Sequence, residues 1–180
     1  MFALHLFGAS AAGCDQRADP AHAVALAAAT RAEAAGPLAG FVPYVSKVGR
    51  YTIMVPRTPE ITSDPMIVDG KAYRNEWLHA AASPKGAYML QWNEAPPHAL
   101  LPNFVTEYSK TTMNHLQATD VAIELVEIGG IPTAVTKGTQ PQNGAVFMRV
   151  FVVDGSMYRL MTAGVPEQSA LAYFASFERR

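Results

Sequence analysis

Cysteine is almost absent from this chain. Cys14 is the single one in 180 residues, so no intramolecular disulfide can form and the fold must rest on its core. Charge is scarce as well. Asp, Glu, Lys and Arg make up 16% of the residues and the formal net charge is −1, which provides no electrostatic drive toward nucleic acid or an anionic membrane surface. Long apolar runs are missing: no stretch reaches the roughly 18 residues that a spanning helix requires. Catalytic signatures are missing too. There is no Gly-x-Ser-x-Gly elbow, no Ser-x-x-Lys pattern and no Gly-Lys-Ser/Thr phosphate loop. The five histidines, His5, His22, His79, His98 and His115, do not show the i, i+4 zinc spacing on a helix, and no cysteine pair completes a metal site. No metal and no cofactor is therefore expected, and an enzyme is not the expected reading.

Hydrophobic residues, at 49% of the chain, are enough for one domain with a real core. Cys14 itself follows the apolar run Met1–Gly13, which ends in Ala11-Ala12-Gly13. That pattern resembles the lipobox of a bacterial lipoprotein, with residues 1–13 as a truncated-looking signal segment that lacks a basic n-region. The expected consequence is acylation of Cys14, with the lipid bilayer as its partner and the bacterial cell envelope as its location. Each buried CH₂ of an acyl chain contributes about 0.8 kcal/mol, so a multiply acylated cysteine anchors a soluble domain stably. Residues 14–40 read as a flexible tether. The run His22–Ala35 is alanine-rich and offers few large apolar side chains, only Val24 and Leu26, before Gly36-Pro37 and Gly40 break any helix.

From Phe41 to Arg180 the texture becomes alternation and turns. Tyr51–Val55 alternates and ends at Pro56, and Ile61–Val68 leads into Asp69-Gly70, a hairpin-type turn. Tyr73–Ala82 and Ala87–Asn93 form the next pair of strands around Ser83–Gly86. In the second of these, Tyr88, Leu90 and Trp92 share a face. A helix is expected from about Asn103 to Ala118, because Phe104, Tyr108, Thr112 and Leu116 recur every fourth residue with Val105 and Met113 beside them. Four strands follow, turning at Gly129-Gly130, at the polar loop Gly138–Gly144 and at Asp154-Gly155. The strand Ala145–Val153 is apolar on both faces apart from Arg149 and is expected inside the sheet. Val165-Pro166-Glu167 opens a short last helix, with Leu171, Phe174 and Phe177 expected on its buried side. Hairpin-linked strands with inserted helices imply an α+β fold, a mainly antiparallel sheet with one long and one short helix packed on it.

This order, with Tyr51–Pro59, the tyrosine strand Gly86–Trp92 and the closing segments Arg149–Leu160 and Ala172–Phe177, resembles the PsbP-like fold. That fold is shared with the Ran-binding Mog family and with bacterial lipoproteins. The resemblance spans Phe41 to Phe177 and implies an α/β/α sandwich and protein binding, with no catalytic residue to transfer. Tyr88, Tyr158, Phe174 and Phe177 read most simply as core, and Ser176 as a helix-end residue.

The remaining candidates are surface aromatics. Tyr73, Trp77 and Trp92 fall on neighbouring strands and are expected to line a groove between the sheet and the long helix, with His115 as a further candidate; the eight methionines add adaptable apolar surface. The expected function is a non-enzymatic, membrane-tethered envelope lipoprotein that binds a protein or small ligand. Two alternatives stand beside it. One is a hydrolase-type enzyme built on His115 with Asp120 or on His79 with Glu76, and the other is a cytosolic protein-binding adaptor.

Overall fold

The structure, a computed structural model, describes residues 36–82 and 86–180. Cys14, the signal-like segment and most of the tether lie outside the described residues, as do residues 83–85 of the Ser83–Gly86 turn. Residues Pro37–Arg180 form one compact unit, in which Leu38 and Phe41 already pack against the core.

Three two-residue turns organise the strands. Asp69-Gly70, Gly129-Gly130 and Asp154-Gly155 all carry positive φ at both positions, as type I′ hairpins require. They join β4 (Met66–Val68) to β5 (Lys71–Tyr73), β8 (Thr119–Ile128) to β9 (Ile131–Gln140), and β10 (Gly144–Val153) to β11 (Ser156–Ala163). With β3 (Glu60–Thr62), β6 (Asn75–Ala81) and β7 (Ala87–Glu94), the long strands make a seven-stranded antiparallel sheet in the order β3-β6-β7-β11-β10-β9-β8. The strand that is apolar on both faces, β10, lies inside it. A second sheet of three strands holds β1 (Val42–Ser46), β2 (Tyr51–Val55) and the C-terminal β12 (Glu178–Arg179) in the order β1-β2-β12.

One helix packs on each face of the large sheet. The first, α1 (Phe104–His115), lies over β8, β9 and β10, burying Val105, Ser109, Thr112 and Met113. It passes over Gly138, where a Cβ would stand 2.7 Å from the methyl of Met113. The helix ends in a Schellman turn, with the Ala118 N–H donating to Met113 O at 3.0 Å and Gln117, rather than glycine, at φ 53°. The second helix, α2 (Glu167–Ala175), covers the other face together with β2. Among the described residues no helix is long and apolar enough to cross a membrane.

Alternation sorts the side chains into two cores. Toward α2 lie Tyr51, Tyr88, Trp92, Phe147, Tyr158, Tyr173 and Phe174, with Ile53, Leu78, Leu90 and Leu160. Toward α1 lie Met113, Met148, Met157 and Met161, with Val105, Ala134, Val146 and Val150.

Several expectations need correction. The segment Tyr73–Ala82 is not one strand but parts of β5 and β6. The chain breaks at Arg74, whose N–H is taken by the Glu94 carboxylate at 2.9 Å. Ile61–Val68 is likewise two short strands, separated by residues 63–65. On α2 the buried residues are Ala170, Tyr173 and Phe174, whereas Leu171 is 48% exposed; helical spacing puts it on the opposite side from Tyr173. Ser176 ends α2 as expected and also docks it: its hydroxyl donates to Tyr173 O at 2.7 Å and accepts from the Met54 N–H at 3.1 Å.

Candidate functional site, a cationic cleft at the end of the sheet

The loop between β1 and β2 crosses the ends of β7, β10 and β11 and closes a cleft of about 420 Å³. Gly49 is the reason it can lie so close. A Cβ on that residue would meet the Tyr51 ring at 2.5 Å and the Trp92 ring at 3.0 Å. The loop is pinned from both sides, since the Gly49 N–H donates to Ser46 Oγ at 2.8 Å and the Tyr158 hydroxyl donates to Gly49 O at 3.0 Å. The next residue, Arg50, adopts φ 53°, a left-handed conformation that is uncommon for a long side chain. Its carbonyl accepts from the Arg180 N–H at 2.7 Å, which ties the C-terminal strand to this loop.

Four arginines line the cleft: Arg50, Arg74, Arg179 and Arg180. Two of them have acidic partners. Arg74 Nε lies 2.7 Å from Glu94 Oε1, and Arg179 Nη1 lies 2.7 Å from Asp154 Oδ2. The Glu94 carboxyl is held below the usual carboxylate range, first by the Arg74 backbone N–H and then by the Arg74 guanidinium. Arg50 and Arg180 have no carboxylate side chain as a partner among the described residues, so the lining carries two unmatched guanidiniums. Trp92, 3% exposed, forms part of the wall, and its indole N–H is buried without an acceptor among the described residues. Planar guanidinium donors suit a carboxylate or phosphate group.

Behind the cleft a buried polar pair stiffens the wall. The Tyr51 hydroxyl donates to Glu76 Oε1 at 2.8 Å, and both residues are buried. Burial, reinforced by that carboxylate, pushes the Tyr51 phenol far up from its ordinary value. Rings of Tyr44, Tyr158 and Phe177 surround Tyr51 at centroid distances of 6.1, 6.3 and 5.9 Å.

The four aromatic and histidine candidates do not assemble into one groove. Trp77 pairs with Gln91, and Glu76 pairs with Trp92, so Trp77 and Trp92 project from opposite faces of the sheet. Trp92 reaches the cationic cleft. Trp77 instead stacks on the buried guanidinium of Arg159, 4.4 Å from its ring, with Tyr108 on the same group at 5.6 Å. Burial pulls the Arg159 pKa down, and its guanidinium makes a long 3.5 Å hydrogen bond to Thr112 Oγ1. Tyr73 is buried on β5 beneath Lys71, and His115 is exposed at the end of α1.

The two histidine–carboxylate combinations are not formed. His79 and Glu76 stand three residues apart on β6, so one is exposed on the α1 face and the other is buried on the opposite face. His115 makes no hydrogen bond or ion pair to Asp120, whose carboxylate accepts from the Thr119 hydroxyl at 3.2 Å. The arginines of the cationic cleft escaped the sequence reading because they come from three separate segments. Their one local signal was the Arg179-Arg180 pair.

No protein-family model and no curated protein matches the sequence. Among solved structures, the solution structure of cyanobacterial PsbP (CyanoP) from Synechocystis sp. PCC 6803 is similar, with a TM-score of 0.53 at 11% identity. The match covers 81% of this chain and 94% of that one. A crystal structure of PA94, a Pseudomonas aeruginosa protein of unknown function, overlays with a TM-score of 0.35 at 9% identity, over 75% of this chain and 90% of that one. The first likeness establishes the fold alone: the domain is an α+β, PsbP-like sandwich.

Proposed function

We propose that this chain is a non-enzymatic, membrane-tethered lipoprotein of the bacterial cell envelope whose domain binds a small ligand or protein through an anionic group. The observation that carries the binding half is the cationic cleft, with two unmatched guanidiniums lining one 420 Å³ space. Its ionisable lining consists of guanidiniums and the carboxylates paired with them, together with the Tyr158 phenol that is spent on Gly49 O. Such groups bind and orient an anion. The tethering half rests on Cys14 and the small residues before it. A flexible coil of about 25 residues would let the domain work roughly 25–30 Å from the bilayer.

The anchor is tested by metabolic labelling with an alkyne fatty acid. Wild type should take up label and Cys14→Ala should not; equal labelling of the two would refute acylation at this site. The cleft is tested by NMR titration of the purified chain with inorganic phosphate and with citrate. The Trp92 indole and Gly49 N–H resonances should move, less so at high salt. The shifts should vanish in the Arg50→Gln, Arg180→Gln double variant. Absence of movement in wild type, or unchanged shifts in the double variant, would remove the cleft as the binding site.

A further inference from the structure

The other face of the large sheet carries a row of soft donors. His79 of β6 pairs with Met89 of β7, and Met89 pairs with Met161 of β11. Directly opposed residues of antiparallel strands have Cα atoms roughly 5 Å apart and project to the same side. All three side chains line one cleft of about 320 Å³ below the end of α1, with Leu116 and Val146 as apolar wall. His79 is exposed and has no hydrogen bond or ion pair among the described residues. Met89 is half-buried and Met161 is 6% exposed, so the row runs from solvent into the core.

The lining contains no carboxylate. Its two amide side chains, Asn143 and Gln140, are hydrogen-bonded to each other at 2.8 Å. What the cleft offers is therefore one imidazole and two thioethers. Hard cations such as Mg²⁺ and Ca²⁺ need oxygen ligands, and Zn²⁺ favours thiolate, imidazole and carboxylate; thioether sulfur selects a soft ion such as Cu(I). Methionine's three rotatable bonds let the sulfurs of Met89 and Met161 converge on a point above Met89, where the His79 ring arrives from the open side. Packing alone accounts for a buried Met161. Met89 packs against the same core and, by register, stands between Met161 and the exposed His79.

We propose that His79, Met89 and Met161 form a binding site for copper(I), on the opposite face of the sheet from the cationic cleft and independent of it. The test uses the full chain carrying Cys14→Ala, because a thiol is itself a strong soft-metal ligand. Silver(I), a redox-inert substitute, is titrated while the methionine methyl carbons are followed by NMR. Copper(I) affinity is measured by competition with a chromophoric chelator. One equivalent should bind, shifting the Met89 and Met161 methyls and leaving those of Met54 and Met66 in place. His79→Ala, at an exposed position, and the volume-conserving Met89→Leu should each weaken copper(I) at least tenfold, whereas Met54→Leu should not. Zn²⁺ should leave the methionine methyls unmoved. The proposal is overturned if the Cys14→Ala chain takes up no stoichiometric silver or copper. Unchanged affinity in both His79→Ala and Met89→Leu would overturn it equally.

Discussion

The two faces of the large sheet are buried by different chemistry. Toward α2 the core is aromatic, and its rings meet in defined edge-to-face and stacked pairs such as Tyr88–Tyr173 at 5.0 Å and Phe151–Tyr158 at 5.2 Å. Polar tips tie that face down, Tyr51 to Glu76 and Tyr158 to Gly49. Toward α1 the core is built from methionines and small aliphatics, which fill space without demanding one geometry. The contrast teaches a division of labour. Rings with anchored hydroxyls hold the loop between β1 and β2 in place, whereas flexible thioethers can re-pack between strand and helix.

The comparison is broken most directly by truncation. Tyr173→Ala, at a fully buried ring, should cost about 3–5 kcal/mol. Met148→Leu, equally buried on the other face, should cost less than about 1.5 kcal/mol. Urea denaturation measures both, and similar losses would erase the distinction between a rigid and a tolerant core.

Alkaline pH should act through the aromatic face. The Tyr51 and Tyr173 phenols are pushed well above their ordinary value of 10.0, chiefly by burial, with Glu76 adding to the effect at Tyr51 and Tyr88 at Tyr173. Both stay protonated in the fold while the unfolded chain ionises. The stability they contribute is therefore intact below about pH 10 and falls above it, by about 1.4 kcal/mol per pH unit for each phenol. Denaturation midpoints between pH 9 and 11 report the slope.

Removing one hydroxyl should have opposite signs at these two tyrosines. Tyr51→Phe leaves the buried Glu76 without its donor and should destabilise by about 1–3 kcal/mol. The Tyr173 hydroxyl is buried with no partner among the described residues, so Tyr173→Phe should stabilise by about 1 kcal/mol and flatten the alkaline fall. Thermal unfolding of the two variants compares them. The smallest effect is expected at the exposed Lys137–Glu167 pair, 3.0 Å apart between β9 and α2. Lys137→Gln should shift stability by less than about 1 kcal/mol, and a larger loss would mean that α2 docks through charge rather than through its rings.

Much of the fold was legible locally. The Asp-Gly and Gly-Gly turns, the strand at Tyr51–Val55 and the presence of the long helix, expected to about Ala118 and ending at His115, follow from side-chain period and turn chemistry, which a single segment carries. The break at Arg74 was not legible, because it depends on a carboxylate 20 residues away. Placing Leu171 on the buried side failed for a related reason: only the packed sheet shows which side of a nine-residue helix is covered. The sites were less accessible still. A search for histidine and cysteine spacing along the chain cannot find the row His79, Met89 and Met161, which comes from three strands.

What the sequence by itself determined is therefore the two helices, most of the long strands, their order and the tight turns between them, together with the lone Cys14 and its setting. These depend on neighbours within a few residues. What only the tertiary structure decided is parity and convergence. A hairpin register places Trp77 and Trp92 on opposite faces, brings His79, Met89 and Met161 into one row and gathers Arg50, Arg74, Arg179 and Arg180 around one cleft. Shifting a register by one residue would turn every such side chain to the other face, and the register is set by the whole sheet rather than by any one strand.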